Sequence, residues 1–154
     1  MPSAIPSGYY PLSPVTTSDD LQKEELNKFE KFWLENGAAE LERAHFSAIA
    51  GHLLTISLYG VGSPELFQAI ERELLRNHHE KLNDCSLVNL KWIVTAFAQR
   101  DLGSTELYQA IHDRLMANDG AYIGQYIPEW QTEVSYILTR ANIDTTHLNQ
   151  ILNR

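Results

Sequence analysis

The sequence predicts an all-α fold: a short right-handed α-solenoid of about three helical hairpins. Three observations predict it. Gly62–Asn77 reads GSPELFQAIERELLRN and returns at Gly103–Asn118 as GSTELYQAIHDRLMAN, a period of 41, with nine of the sixteen positions identical. Apolar residues recur every three or four positions, the spacing of one helix face. No segment holds the alternation of period two that a half-buried strand requires.

Residues 1–17 form the first segment, an extended arm. Pro2, Pro6, Pro11 and Pro14 fix the backbone away from a helix. Tyr9, Tyr10 and Leu12 are its natural anchors, expected to lie on a surface that belongs largely to another chain. The helical repeat domain spans 18–154. Its first helix is expected near 19–36 and ends in WLEN, Trp33–Asn36. That motif matches the ends LLRN and LMAN of the two copies, so Asn36, Asn77 and Asn118 share one position. A second helix is expected near 44–59, on the stripe Phe46, Ile49, Leu53 and Ile56.

A helix near 64–78 follows. Ser63 sits at its N-cap, Pro64 at the first helical position and Glu65 in the first turn, all favourable there. Leu66, Ile70 and Leu74 give it an apolar stripe, widened by Phe67. The helix near 85–101 copies the second one, with Leu87, Leu90, Val94 and Phe97 each one period on. The helix near 105–117 has Ser104 as cap, Glu106 in its first turn, and the stripe Leu107, Ile111, Leu115 with Tyr108. The third copy begins near 128–142 and keeps Val134, Ile137 and Leu138, although Pro128 and Gln131 spoil its start. The last helix, near 146–153, takes Thr145 as cap and repeats Thr146, Leu148 and Gln150. Leu66, Leu107 and Leu148 are therefore expected to be equivalent and buried.

Composition narrows the function. A chain of 154 residues buries roughly 70% of its unfolded surface and needs neither metal nor disulfide to fold. The formal net charge of −8 opposes binding to a phosphate backbone, which takes clustered Lys and Arg. The densest basic group, Arg72, Arg76, Lys81 and Lys91, reads as solvated helix faces near Glu71, Glu73 and Glu80. No run of 18 apolar residues exists, so no membrane span is expected. The first twenty residues hold no Lys or Arg and read as neither a secretory signal nor an Arg-rich transit peptide as they stand.

Catalytic constellations are not found. Cys85 is the single cysteine. It lies beside a helix start, where a thiolate is favoured, but it reads as a small core residue. His78 and His79 diverge by about 100° on a helix and read as a polar helix terminus rather than as metal ligands. His52 reads as a satisfied core histidine. GVGS at 60–63 lacks the Lys and preceding strand of a phosphate loop and reads as a capped turn. Neither a metal, a cofactor nor a small-molecule substrate is expected. Gln68, Gln109 and Gln150 share one position and would form a ladder of amides along the array, able to meet a partner's backbone. Trp130, beside Pro128, is the tryptophan expected at a contact.

From Leu90 to Leu115 the chain follows L-x-x-I-x-x-A-F-A-x-x-x-L-G-S-x-E-L-Y-x-A-I-x-x-R-L. This pattern resembles octotricopeptide repeats and the organellar helical repeats that accompany FAST-kinase-like and RAP domains. The resemblance covers roughly 46–118. It implies a setting in mitochondria or plastids and admits an RNA-binding adaptor. Set beside the acidic charge, it leads to the expectation of a non-catalytic scaffold subunit of a mitochondrial assembly: respiratory chain, ATP synthase or mitoribosome. Its expected partners are proteins.

Overall fold

The computed structural model describes residues 18–154. The expected arm 1–17, with Tyr9, Tyr10 and Leu12, lies outside the described residues. Those described are all-helical, with no strand among them. The helices are α1 (Ser18–Arg43), α2 (Phe46–Tyr59), α3 (Pro64–Asp84), α4 (Leu87–Gln99), α5 (Thr105–Leu115), α6 (Ala117–Gly120), α7 (Pro128–Arg140) and α8 (Thr146–Leu152), with a 3₁₀ turn at Ile123–Gln125 before α7. They pack in two rows. α2 lies on α4 and α4 on α7, while α1 lies on α3 and α3 on α5. The rows meet where α2 contacts α3, α4 contacts α5 and α7 contacts α8.

The packed interior follows the apolar stripes. Leu66, Leu107 and Leu148 are fully buried, and so are Ile49, Leu53, Ile56, Leu90, Val94, Phe97, Val134 and Leu138. Phe67 meets Phe97 edge-on at 5.1 Å between ring centres, an arrangement that adds to the area both rings bury. Leu41, Leu82 and Ile123 join the same core from the later parts of α1 and α3 and from the 3₁₀ turn.

Caps fix where the helices begin. Ser63 Oγ accepts the Leu66 amide at 3.1 Å and Ser104 Oγ the Leu107 amide at 3.1 Å. The backbone amides of these two serines then need partners of their own. Glu30 Oε1 accepts from Ser63 N at 2.9 Å, and Glu71 Oε1 from Ser104 N at 3.0 Å. Each carboxylate thus ties one helix of the α1–α3–α5 row to the start of the next. At the corresponding third position stands His112, and the arrangement changes. Thr145, the expected cap, gives α8 no side-chain hydrogen bond. Its hydroxyl faces Thr139 Oγ1 at 3.0 Å instead. The side chain one residue earlier does the capping, as Asp144 Oδ1 takes the Thr146 amide at 3.0 Å.

Gly62 and Gly103 precede the serine caps with φ of +106° and +100°. A Cβ on Gly62 would stand 2.9 Å from Ile56 Cδ1, and one on Gly103 would stand 2.8 Å from Tyr108 Cε2. Both conformation and space therefore demand glycine. Pro128, expected to spoil a helix start, opens α7 in the first turn, where a missing amide hydrogen costs nothing.

Two helix ends differ from expectation. The sequence stops α1 and α3 near 36 and 78, whereas the chain turns there and resumes. Asn36, Gly37 and Ala38 have φ of 53°, 66° and 65°, and Asn77, His78 and His79 have φ of 54°, 58° and 64°. Asn118, Asp119 and Gly120 repeat the turn at 57°, 56° and 81°. Each run is one left-handed turn. His78 and His79 sit in such a turn rather than at a polar right-handed terminus.

Candidate protein-binding face

The outer face of α2, α4 and α7 is set by a lack of charge. α2, FSAIAGHLLTISLY, carries no Asp, Glu, Lys or Arg. α4, LVNLKWIVTAFAQ, carries one, Lys91, and that residue is buried. A helix apolar on every side belongs in an interior. Here both helices turn one side to solvent: Leu58 is 75% exposed and Val88 42%, and Leu54 and Trp92 are half-buried. On α7 and its approach, Ile127 is 53% exposed and Trp130 half-buried.

These side chains line two adjoining clefts. One, about 260 Å³, runs between α2 and α4 past Leu54, Leu58, Trp92 and Gln99 to Trp130. The other, about 220 Å³, lies between Val88, Tyr126, Ile127 and Trp130. Trp130 is the wall they share. Its ring stacks edge-on against Tyr126 at 5.6 Å, and Lys91 Nζ lies 4.8 Å from its centre. The same Nζ pairs with Glu133 Oε1 at 2.7 Å and bonds to Thr95 Oγ1 at 3.3 Å. The ammonium is thereby neutralised beneath the tryptophan and shows little charge to solvent. Tyr126 donates its hydroxyl hydrogen to the Leu87 carbonyl. Burial, with a smaller push from Cys85, raises its pKa far above the ordinary phenol value, so it stays neutral.

The other expected site residues lie elsewhere. Gln68 on α3, Gln109 on α5 and Gln150 on α8 are exposed, on the row opposite Trp130. Gln109 Nε2 donates to Asp113 Oδ1 at 2.9 Å. Their neighbours are charged: Glu65 and Arg72 near Gln68, Glu106 and Asp113 near Gln109. The structure therefore separates the ladder from Trp130.

The basic group corrects another expectation. Only Arg72 is a solvated helix-face residue. Lys81 Nζ pairs with Glu73 Oε2 at 2.8 Å and donates to the Leu41 and Glu42 carbonyls at 3.3 and 2.7 Å. Arg76 holds the other side of Glu73 through Nη2 at 2.9 Å and Nε at 3.0 Å. Burial by itself would raise the Glu73 pKa, but the hydrogen bonds from Arg76 and Lys81 hold it below the usual carboxylate range. Arg114 and Tyr122 stand one period beyond Glu73 and Lys81, and there Arg114 Nη2 donates to the Tyr122 hydroxyl at 2.8 Å. Arg100 points inward too, donating to the Gly62 carbonyl at 2.8 Å and to that of Val61.

Cys85 is buried, with Sγ donating to the Lys81 carbonyl at 3.3 Å. Burial pushes its thiol up to about 12, which removes the thiolate a nucleophile needs. His52, expected to be satisfied, is not. It stacks on Phe29 and Trp33 at 4.9 Å each, but its buried Nε2 has no hydrogen-bond partner. Burial lowers its pKa, against a smaller upward pull from Glu30. No group of three or more His, Cys, Asp or Glu among the described residues is placed to hold a metal ion. None of the described helices is long and apolar enough to cross a membrane.

Leu54, Leu58, Val88, Trp92 and Ile127 are not singled out by the sequence. The signal available there is negative: two consecutive first helices of a hairpin with almost no charge. Compared with known proteins, the chain matches no family, no curated protein and no solved structure.

Proposed function

We propose that this chain is a non-catalytic scaffold, a short solenoid of helical hairpins with a period of 41 that binds protein partners through the outer face of α2, α4 and α7. The observation that carries this reading is the uncharged solvent side of α2 and α4, with Leu58, Val88, Trp92 and Trp130 along it. Interface centres are depleted in charge and enriched in tryptophan. The solenoid reading is supported by helix starts at Phe46, Leu87 and Pro128, and at Pro64, Thr105 and Thr146. It draws further support from the matching Glu30–Ser63 and Glu71–Ser104 contacts. A mitochondrial multiprotein assembly is the setting that the resemblance of Leu90–Leu115 to organellar repeats suggests.

An organellar RNA-binding adaptor is the competing reading, and the exposed Gln68, Gln109 and Gln150 favour it. The inward engagement of Arg76, Lys81, Lys91, Arg100 and Arg114 weighs against it, because these cations already have partners within the fold. The deciding experiment is purification of the tagged chain from its native source with identification of what is bound. Leu58→Asp with Trp130→Ala is expected to release the bound proteins, whereas Gln68→Ala with Gln109→Ala keeps them. Release by the glutamine variants alone, together with submicromolar RNA affinity that falls steeply with salt, would replace the scaffold with the adaptor.

A further inference from the structure

A second surface stands apart from that face, on α1. This helix ends its row, packing on α3 and α2. Its buried side holds Leu26 and Trp33. Leu21, Phe29 and Phe32 are instead 52%, 40% and 47% exposed. Leu21, Glu25, Lys28 and Phe32 are spaced by four, three and four positions, so they form one stripe along the helix, away from the buried side. At the far end of the other row, α7 exposes mainly Thr132, Thr139 and Arg140 with Tyr136, a more polar finish. The aromatic exposure is thus concentrated on α1.

The order along the stripe is apolar, acidic, basic, apolar, and it reads as its own complement when reversed. We propose that α1 is a homodimerisation surface on which two copies of this chain pair antiparallel across a two-fold axis between positions 26 and 27. Leu21 of one copy then meets Phe32 of the other, and Glu25 meets Lys28, each contact occurring twice. Such an isologous arrangement follows the symmetry rule that residue i on one copy meets j and j meets i. Leu21 and Phe32 lie about 16 Å apart along the axis, so the apolar contacts flank a central group of four charges. Within one copy Glu25 and Lys28 already approach to 3.7 Å, both well exposed. Charges at the centre of a helical seam fix register and orientation, which is how this interface excludes the parallel arrangement: parallel pairing would set Glu25 against Glu25 and Lys28 against Lys28. Phe29, whose ring lies 6.1 Å from that of Phe32, widens the seam. The surface is small, so the dimer belongs at the weak end of specific association.

Sedimentation equilibrium of the full chain at up to about 200 µM, a range that resolves weak specific association, tests the proposal. The wild type is expected to dimerise. Glu25→Lys alone and Lys28→Glu alone each set like charges across the seam and are expected to weaken self-association by roughly tenfold. Mixing these two variants restores complementarity and should yield a heterodimer of wild-type strength. Each variant keeps its own like-charged pair within the helix when mixed, so recovery reports the contact between copies and not repair of α1. A wild type that stays monomeric over this range overturns the proposal. So does dimerisation untouched by either variant. A chain that dimerises only after residues 1–17 are deleted also overturns it, because the arm would then be the occupant of this surface.

Discussion

The rows α2–α4–α7 and α1–α3–α5 contribute alike to the interior and differ in what they turn outward. α3 carries eight Asp, Glu, Lys or Arg among its 21 residues, whereas α2 has none among 14. The difference is not one of helix stability, since both rows rest on fully buried Leu, Ile and Phe. It lies in where water is expected. A charged outer side is at rest in solvent, and an uncharged one is left half-finished until another surface covers it. The charges of the α3 row also have internal work: Glu30 and Glu71 receive cap amides, and Glu73 gathers Arg76 and Lys81.

If both rows depend on one interior, the deepest substitution should melt them together. Leu107→Ala is expected to lower stability by about 2–5 kcal/mol, with tryptophan fluorescence from the α4 and α7 row and helical circular dichroism falling in one transition. Two separate transitions would mean that the rows are independent and that the comparison is between two folding units.

A smaller effect distinguishes the charged row. Glu73→Gln should cost about 2 kcal/mol, less than breaking a fully enclosed ion pair because Arg76 is partly in water. Its pH dependence has a defined sign. The Glu73 pKa is depressed in the fold, so its stabilisation is present above the unfolded carboxylate value and is lost as pH falls through the folded value. Thermal melts from pH 7 downward should therefore fall less steeply for the variant. Parallel profiles would remove the ion network as the reason this row tolerates its charges.

The smallest effect is expected where the uncharged row holds its one buried histidine. Ile93 and Val134, one and two periods after His52, are fully buried, so His52→Ile substitutes the residue type found there. His52 has its pKa lowered from the ordinary 6.5. Between 6.5 and the lower folded value the unfolded chain binds more protons, and stability declines as pH falls. The wild type should lose more of its melting temperature from pH 7 to pH 5 than the isoleucine variant. An equal loss would place the acid sensitivity outside this site.

Much of the helical framework was legible in the sequence because its causes are local. Ser63 and Ser104, Pro64, and the stripes through Leu66 and Leu107 declare where helices start and which side they bury. The left-handed turns were not legible. Asn36, Asn77 and Asn118 marked the place, and Asn tolerates positive φ, but Ala38, His78 and His79 give no local sign of it. The candidate face was half legible. Trp130 stood out for its setting beside Pro128, while Trp92 read as core and Leu58 as nothing in particular, since the feature joining them is an absence of charge spread over two helices. Glu73 looked like a solvated acid because its enclosure depends on Lys81 reaching back to Leu41 and Glu42, a contact between segments far apart in the chain.

The left-handed turns have a consequence for how the chain finds its register. A right-handed helix propagates readily once nucleated, and nothing in a long helical array prevents one helix from growing into the next with its stripe out of phase. Three successive residues of positive φ cost roughly 1–2 kcal/mol each for residues other than glycine. Propagation from α1 therefore halts at Asn36 and propagation from α3 at Asn77. Each turn insulates one segment's phase from its neighbour's, so a register error made in one hairpin stays within it and can be corrected there.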